Sequence, residues 1–154
     1  MLDVHMLNYL NDLDEIKVEG ATLKVFHTPG HSQDHLVIQL KEENAIFSAD
    51  CVLGEGTVVF ENLSKYLKSL ERLLEMNGKK FYPGHGPVVD NPKVKINDYF
   101  KTRMEREAQI VDVLSGVTGY ISAMDIVKKI YKVCKLHFIL NISTIIASRS
   151  YQEI

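Results

Sequence analysis

Cysteine is scarce in this chain of 154 residues, and Cys51 and Cys134 stand far apart, without the close spacing of a metal finger. Two isolated thiols suit a reducing compartment and do not make a disulfide framework. No apolar run approaches the roughly 20 residues that a membrane span needs. Residues 1–15 are acidic and hold no Arg, so they read neither as a signal peptide nor as a mitochondrial presequence. Internal repeats and low-complexity tracts are lacking too. What is there, 45% hydrophobic and 25% charged residues, fits one globular domain, or one domain with a small appendage.

The net charge of −2 conceals an asymmetry. Through Pro92 there are 8 Lys+Arg against 14 Asp+Glu, giving −6; from Lys93 onward there are 10 against 6, giving +4. A basic carboxy-terminal part suits a phosphate-rich substrate, and equally a solvated helix face. Strand-like runs cover Ala21 to His27, Leu36 to Leu40 and Ala45 to Ser48, neighbours in one expected sheet. From Asn62 to Met76 the leucines recur at helical spacing, with Asn62 or Ser64 as the cap and Asn77-Gly78 as the stop. Lys80-Phe81-Tyr82 reads as a last short strand before Pro83. A second helix is expected from Pro92 to Leu114 and a third near Ser122 to Val133, after a break at residues 115–119. The composition therefore divides near residues 90–92 into a sheet-plus-helix body and a helical tail.

Three turns carry the chemistry: Thr28-Pro29-Gly30-His31, Ser48-Ala49-Asp50 and Tyr82-Pro83-Gly84-His85-Gly86. Each places a metal-ligating side chain just after an apolar strand, where a rigid sheet aims loops at a common point. Imidazole nitrogen and carboxylate oxygen together suit zinc. A carboxylate such as Asp50 can give one oxygen to each of two ions, which an imidazole cannot do. Ions about 3.5–4 Å apart can share a nucleophile and stabilise charge on a phosphoryl or acyl oxygen. His31, Asp50 and His85 are thus the candidate metal and catalytic residues. Cys51, beside Asp50, reads as core filler.

The order and flanks of these turns resemble the second half of the metallo-β-lactamase superfamily. A longer run, from about Tyr9 to Leu140, resembles its beta-lactamase-like protein 2 branch of mitochondrial endoribonucleases. The narrower signals are His31-Ser32-Gln33-Asp34-His35, Leu53-Gly54-Glu55-Gly56-Thr57 and Tyr82-Pro83-Gly84-His85-Gly86-Pro87-Val88. The resemblance implies an α/β fold, the second half of an αββα sandwich, with a helical, partly winged-helix-like tail. It implies a partial catalytic domain over residues 1–91, the tail over 92–140 and a divergent end over 141–154. It implies that His31 binds one zinc, that Asp50 bridges two, and that His85 binds the second. Asp34 and His35 match the family loop without being its zinc ligands, His27 shapes that loop, and His5 and His137 match nothing functional.

The departures from the family are specific. Gln33 stands where an acidic residue is usual, and Ala49 where Gly usually precedes the bridging Asp. A His-x-His-x-Asp-His cluster, which supplies four of the seven expected ligands, is missing, and the stretch after Phe138 diverges like an alternative exon. The chain reads as a product cut at both ends, so at most one zinc is expected where the full site holds two. The function implied is zinc-dependent endonucleolytic hydrolysis of single-stranded RNA in the mitochondrial matrix, with this chain inactive or weak. Lys93, Lys95, Lys101, Arg103, Arg106, Lys128, Lys129, Lys132 and Lys135 are the expected phosphate contacts. Neither DNA nor a membrane is an expected partner; a homo-oligomer through an exposed sheet face is. The alternatives are a thioester or lactone hydrolase of glyoxalase type, or a non-catalytic module that binds RNA or a partner.

Overall fold

The computed structural model describes residues 9–131. Five strands and three helices follow one another as β1 (Glu15–Val18), β2 (Ala21–His27), β3 (Leu36–Leu40), β4 (Ala45–Ala49), α1 (Leu63–Met76), β5 (Lys80–Pro83), α2 (Pro92–Ser115) and α3 (Ala123–Ile130). The strands form one sheet in the order β1-β2-β3-β4-β5. The first three pairings are antiparallel, and β4 pairs β5 in parallel after the crossover through α1. It follows that β2, β4 and β5 run in the same direction and open at the same rim of the sheet. The three candidate turns all follow those carboxyl ends, so the topology delivers His31, Asp50 and His85 to one place.

The expected strands and the first two helices stand where periodicity placed them. Asn62 caps α1 through its side chain, which accepts from the Lys65 amide at 2.9 Å. Asn77, left-handed at φ 49°, ends that helix. The third helix stops at Ile130, because Tyr131 is extended, three residues before the expected Val133. Strand β1 was not foreseen. Its four residues, Glu-Ile-Lys-Val, are all exposed, so it is held by backbone pairing to β2 and carries little apolar signal.

Strand alternation gives the sheet two unlike faces. Phe26, Val37, Ile46 and Phe81 lie on one, packed in the main core with Tyr66, Leu70 and Leu73 of α1 and Ile96 of α2. Tyr99 and Phe100 pack against the same core, so the first turns of α2 seat on the body. A smaller cluster around Ile110 and Ile126 joins α2 to α3. The other face carries Leu23, Val25, Ile38, Leu40, Phe47 and Tyr82 by register. Phe47 is 44% exposed and stacks on Tyr82 at 5.4 Å.

Register decides which apolar strand residues an exposed sheet face can carry, and it excludes Val37 and Ile46. Both are fully buried beneath the helices. Leu23, Leu40 and Phe47 remain on the opposite face and, with Ile38 and Tyr82, belong to neither core cluster of the described residues, whereas Val25 on that face is buried. Each large apolar side chain of this kind gains about 1.5–3 kcal/mol when buried. The chain is therefore expected to self-associate, with a melting temperature that rises with concentration, and Phe47→Lys should weaken that association. Light scattering and melts over a dilution series check this; a concentration-independent monomer would refute it.

Candidate metal centre

The loop after β2 is held by the helix that follows it in space. The Gly30 carbonyl accepts from the Glu61 and Asn62 amides at 2.8 and 3.1 Å, and Ser69 Oγ donates to the Pro29 carbonyl at 2.7 Å. Gly30 sits at φ +137°, and a Cβ there would lie 2.4 Å from the Tyr66 backbone. Only glycine lets the loop lie so close against α1. His31, thereby placed, donates from Nδ1–H to the Val59 carbonyl at 2.6 Å. That bond fixes the tautomer and leaves the lone pair on Nε2, the usual way a protein prepares a histidine ligand.

Asp50 follows β4 after a sharp bend. Ala49 adopts φ 45°, in the left-handed region, and its carbonyl accepts from the Gly84 amide at 2.9 Å. A Gly there would take the bend freely, whereas Ala does so under strain. His31 Nε2 lies 3.8 Å from Asp50 Oδ2, and His85 Nε2 lies 3.6 Å from Asp50 Oδ1. A Cβ on Gly84 would come within 2.7 Å of Oδ1. The structure thus brings all three sequence-predicted residues together, with one carboxylate oxygen facing each imidazole.

The donor types, imidazole nitrogen and carboxylate oxygen, are ones that zinc accepts. Typical zinc–nitrogen and zinc–oxygen bonds place two ligands of one tetrahedral ion about 3.4 Å apart. The two observed nitrogen–oxygen separations are a few tenths of an ångström longer. Asp50 Oδ1 is buried and lacks a hydrogen-bond partner among the described residues, as an oxygen reserved for an ion would. Yet each position receives only one imidazole and one oxygen, and no group of three or more His, Cys, Asp or Glu among the described residues surrounds a single point. The chain supplies two half-cages that share Asp50.

Other sequence readings are placed by the same geometry. His27 donates from Nε2–H to the Gln33 carbonyl at 2.9 Å and shapes the loop. Cys51 is fully buried, and burial pushes its thiol up to about 12, so it fills the core as an inert group. His5 and His137 lie outside the described residues. The role of the Leu53-Gly54-Glu55-Gly56-Thr57 stretch was not legible from its composition. A Cβ on Gly54 would lie 1.9 Å from the Pro87 carbonyl oxygen, and one on Gly86 would lie 2.3 Å from the Glu55 amide. The Gly54 amide donates to the His85 carbonyl at 2.9 Å. This loop interlocks, backbone against backbone, with the loop that carries His85. His35 is buried in the loop that carries His31: its Nδ1 lies 2.9 Å from Thr28 Oγ1, and its ring meets that of His31 edge-on at 5.6 Å.

A sheet backed by helices on one face carries His31, Asp50 and His85 together at the rim where β2, β4 and β5 end. The family model described as Metallo-beta-lactamase superfamily matches residues 3–85, and the chain belongs to that superfamily. It is similar to Beta-lactamase-like protein 2 homolog of Caenorhabditis elegans, at 45% identity over 128 residues, 83% of this chain and 43% of that protein. It is also 41% identical to an atrochrysone carboxyl ACP thioesterase of Aspergillus fumigatus, over 65% of this chain and 32% of the relative. The chain thus spans about two fifths of the first relative's length and about a third of the second's. A beta-lactamase domain protein from Burkholderia ambifaria shares the fold, with a TM-score of 0.66 at 23% identity over 79% of this chain and 40% of that one.

Two outcomes are expected. Elemental analysis after gel filtration should find no more than one zinc per chain; Asp50→Ala should abolish uptake, and His27→Ala should leave it unchanged. Ala49→Gly should raise stability by about 0.5–1 kcal/mol, since it relieves a left-handed alanine at some cost in chain entropy. A thermal melt checks the second, and an unchanged or lower melting temperature would contradict it.

Proposed function

We propose that this chain carries part of the active site of a zinc-dependent endoribonuclease acting on single-stranded RNA. The observation that carries the hydrolase reading is the division of Asp50, with one oxygen toward His31 and the other toward His85. His31 and Asp50 would hold one zinc, and Asp50 and His85 the other. Bound zinc there would polarise a phosphoryl oxygen and make water a nucleophile near neutral pH. The residues of this chain contribute orientation: Val59 fixes His31, and the Gly54 and Gly86 backbones fix the loop of His85.

The RNA reading rests on the similarity to the beta-lactamase-like protein 2 relative and on the exposed cations of α2 and α3. Those cations are fewer than the sequence suggested. Arg103 turns inward, with its guanidinium 4.7 Å from the Phe60 ring and Nη2 donating to the Val58 carbonyl at 3.2 Å. Lys95 donates to the Gly54 carbonyl at 3.3 Å, and the Arg106 guanidinium covers Tyr131 at 4.2 Å. Lys132 and Lys135 lie outside the described residues. Lys93 and Lys129 are exposed, Lys101 is exposed beside Glu105 at 3.9 Å, and Lys128 is exposed beside Asp125 at 3.3 Å. These four are the phosphate contacts we assign. Arg103 and Lys95 serve the fold, although their sequence positions gave no sign of it.

A thioester hydrolase is the second reading, favoured by the similarity to a protein named as an acyl-carrier-protein thioesterase. It needs no basic surface. The chain alone should cleave neither substrate measurably, because it gives each metal position one imidazole and one oxygen. Joined to the rest of its relatives' length, it should cut single-stranded RNA in a zinc-dependent manner. Lys93→Glu with Lys101→Glu should then raise KM for RNA at least several-fold while leaving metal content unchanged. Thioester cleavage without RNA cleavage would decide for the second reading, and indifference to the two charge reversals would remove Lys93 and Lys101 from the RNA path.

A further inference from the structure

Residues 51–62 join β4 to α1 without a helix or strand of their own, yet both histidine turns are bonded to this segment. Its Gly54 amide donates to the His85 carbonyl at 2.9 Å, and its Val59 carbonyl accepts from His31 Nδ1–H at 2.6 Å. A segment without a regular hydrogen-bond ladder holds its shape only if its backbone groups find other partners. Three such partners come from α2. Lys95 Nζ donates to the Gly54 carbonyl at 3.3 Å. The Tyr99 hydroxyl accepts from the Leu53 amide at 3.2 Å and donates to the Leu53 carbonyl at 3.3 Å. Arg103 Nη2 donates to the Val58 carbonyl at 3.2 Å, with the guanidinium 4.7 Å from the Phe60 ring.

Lys95, Tyr99 and Arg103 stand four residues apart, the spacing that stacks side chains on one face of a helix. That face grips the segment at two points. Leu53 and Gly54 are held beside the bond to His85, and Val58 and Phe60 on either side of the residue that bonds His31. Ile96 is buried in the main core and Tyr99 packs against it, so the grip is fixed to the body. Burial holds the Tyr99 hydroxyl above its ordinary range, and it stays neutral, able both to donate and to accept. Packing alone would be met by apolar side chains at these positions, whereas here three polar ends converge on the backbone of one segment. We propose that Lys95, Tyr99 and Arg103 are positioning residues that set the His31 and His85 turns through residues 53–60. The first half of α2 then belongs to the framework of the site and not to a separable tail. This inference rests on the reading of His31 and His85 as active-site residues, but its test uses neither metal nor substrate, so its failure would leave that reading untouched.

Nuclear magnetic resonance of the folded chain separates positioning from mere support, because chemical shifts report the geometry of the native state and not its stability. Two protons lie on the bonds in question, the Gly54 amide and His31 Nδ1–H. Tyr99→Phe removes one hydroxyl and keeps the ring in place. It should move the Gly54 amide upfield and speed its exchange with solvent about 3- to 10-fold, the effect of losing a hydrogen bond of ordinary net strength. Arg103→Met should move His31 Nδ1–H upfield or broaden it beyond detection. In both variants the amides of β2 and β3 should keep the parent's shifts. A Gly54 or His31 proton that stays at the parent's position in its variant, whatever the melting temperature, would show that these side chains only support the fold and would overturn the assignment. Shifts spread equally over the sheet would overturn it too. If either variant fails to fold, Lys95→Met decides: it removes the donor to the Gly54 carbonyl alone, and the Gly54 amide must move for the proposal to stand.

Discussion

The seating of Gly30 against the first turn of α1 is the contact on which the rest of the molecule depends. One carbonyl accepts the Glu61 and Asn62 amides as the chain enters the helix. The absence of a side chain at residue 30 lets the loop touch the Tyr66 backbone. The same helix lays Tyr66, Leu70 and Leu73 on the sheet, and Tyr66 donates its hydroxyl to the Cys51 carbonyl at 3.0 Å, one residue beyond Asp50. A single helix thus braces the turns of two candidate ligands while it closes the core. Burial raises the Tyr66 hydroxyl far above its ordinary range, so it remains a neutral donor at any pH the fold experiences.

The direction of the strands does the remaining work. Antiparallel neighbours alone would send successive turns to opposite rims. The crossover through α1 makes β5 parallel to β4, so that Asp50 and His85 emerge side by side. The price of assembling a site from short turns is local strain, visible at Ala49, and dependence on glycine at positions 30, 54, 84 and 86. Strain of about 1–3 kcal/mol at a functional turn persists only when its surroundings hold it in place. Here β4, β5 and the Gly84 amide do so.

Much of this was legible in the sequence, and for physical reasons. Strands β2, β3 and β4 announce themselves through β-rich apolar runs bounded by turns, and α1 through its leucine period and Asn caps. That the three candidate turns meet at one rim was legible because a His or Asp directly after an apolar strand, beside Gly or Pro, is a local pattern. What was not legible is set by contacts distant in sequence. Strand β1 is specified by its pairing with β2; Val37 and Ile46 are assigned to the helix face only by register. The inward turn of Arg103 toward Phe60 and the burial of His35 are facts of tertiary packing, for which residue type gives no signal.

The interlock of Gly54 and Gly86 has a bearing on how such a site can change over generations. Backbone touching backbone leaves no side chain that could be trimmed to make room, so neither loop can be remodelled while the other stands. Residues 53–57 and 83–87, more than two dozen positions apart, therefore form one structural unit. A loop borrowed from another protein would have to arrive with its counterpart, or His85 would lose the wall that aims it.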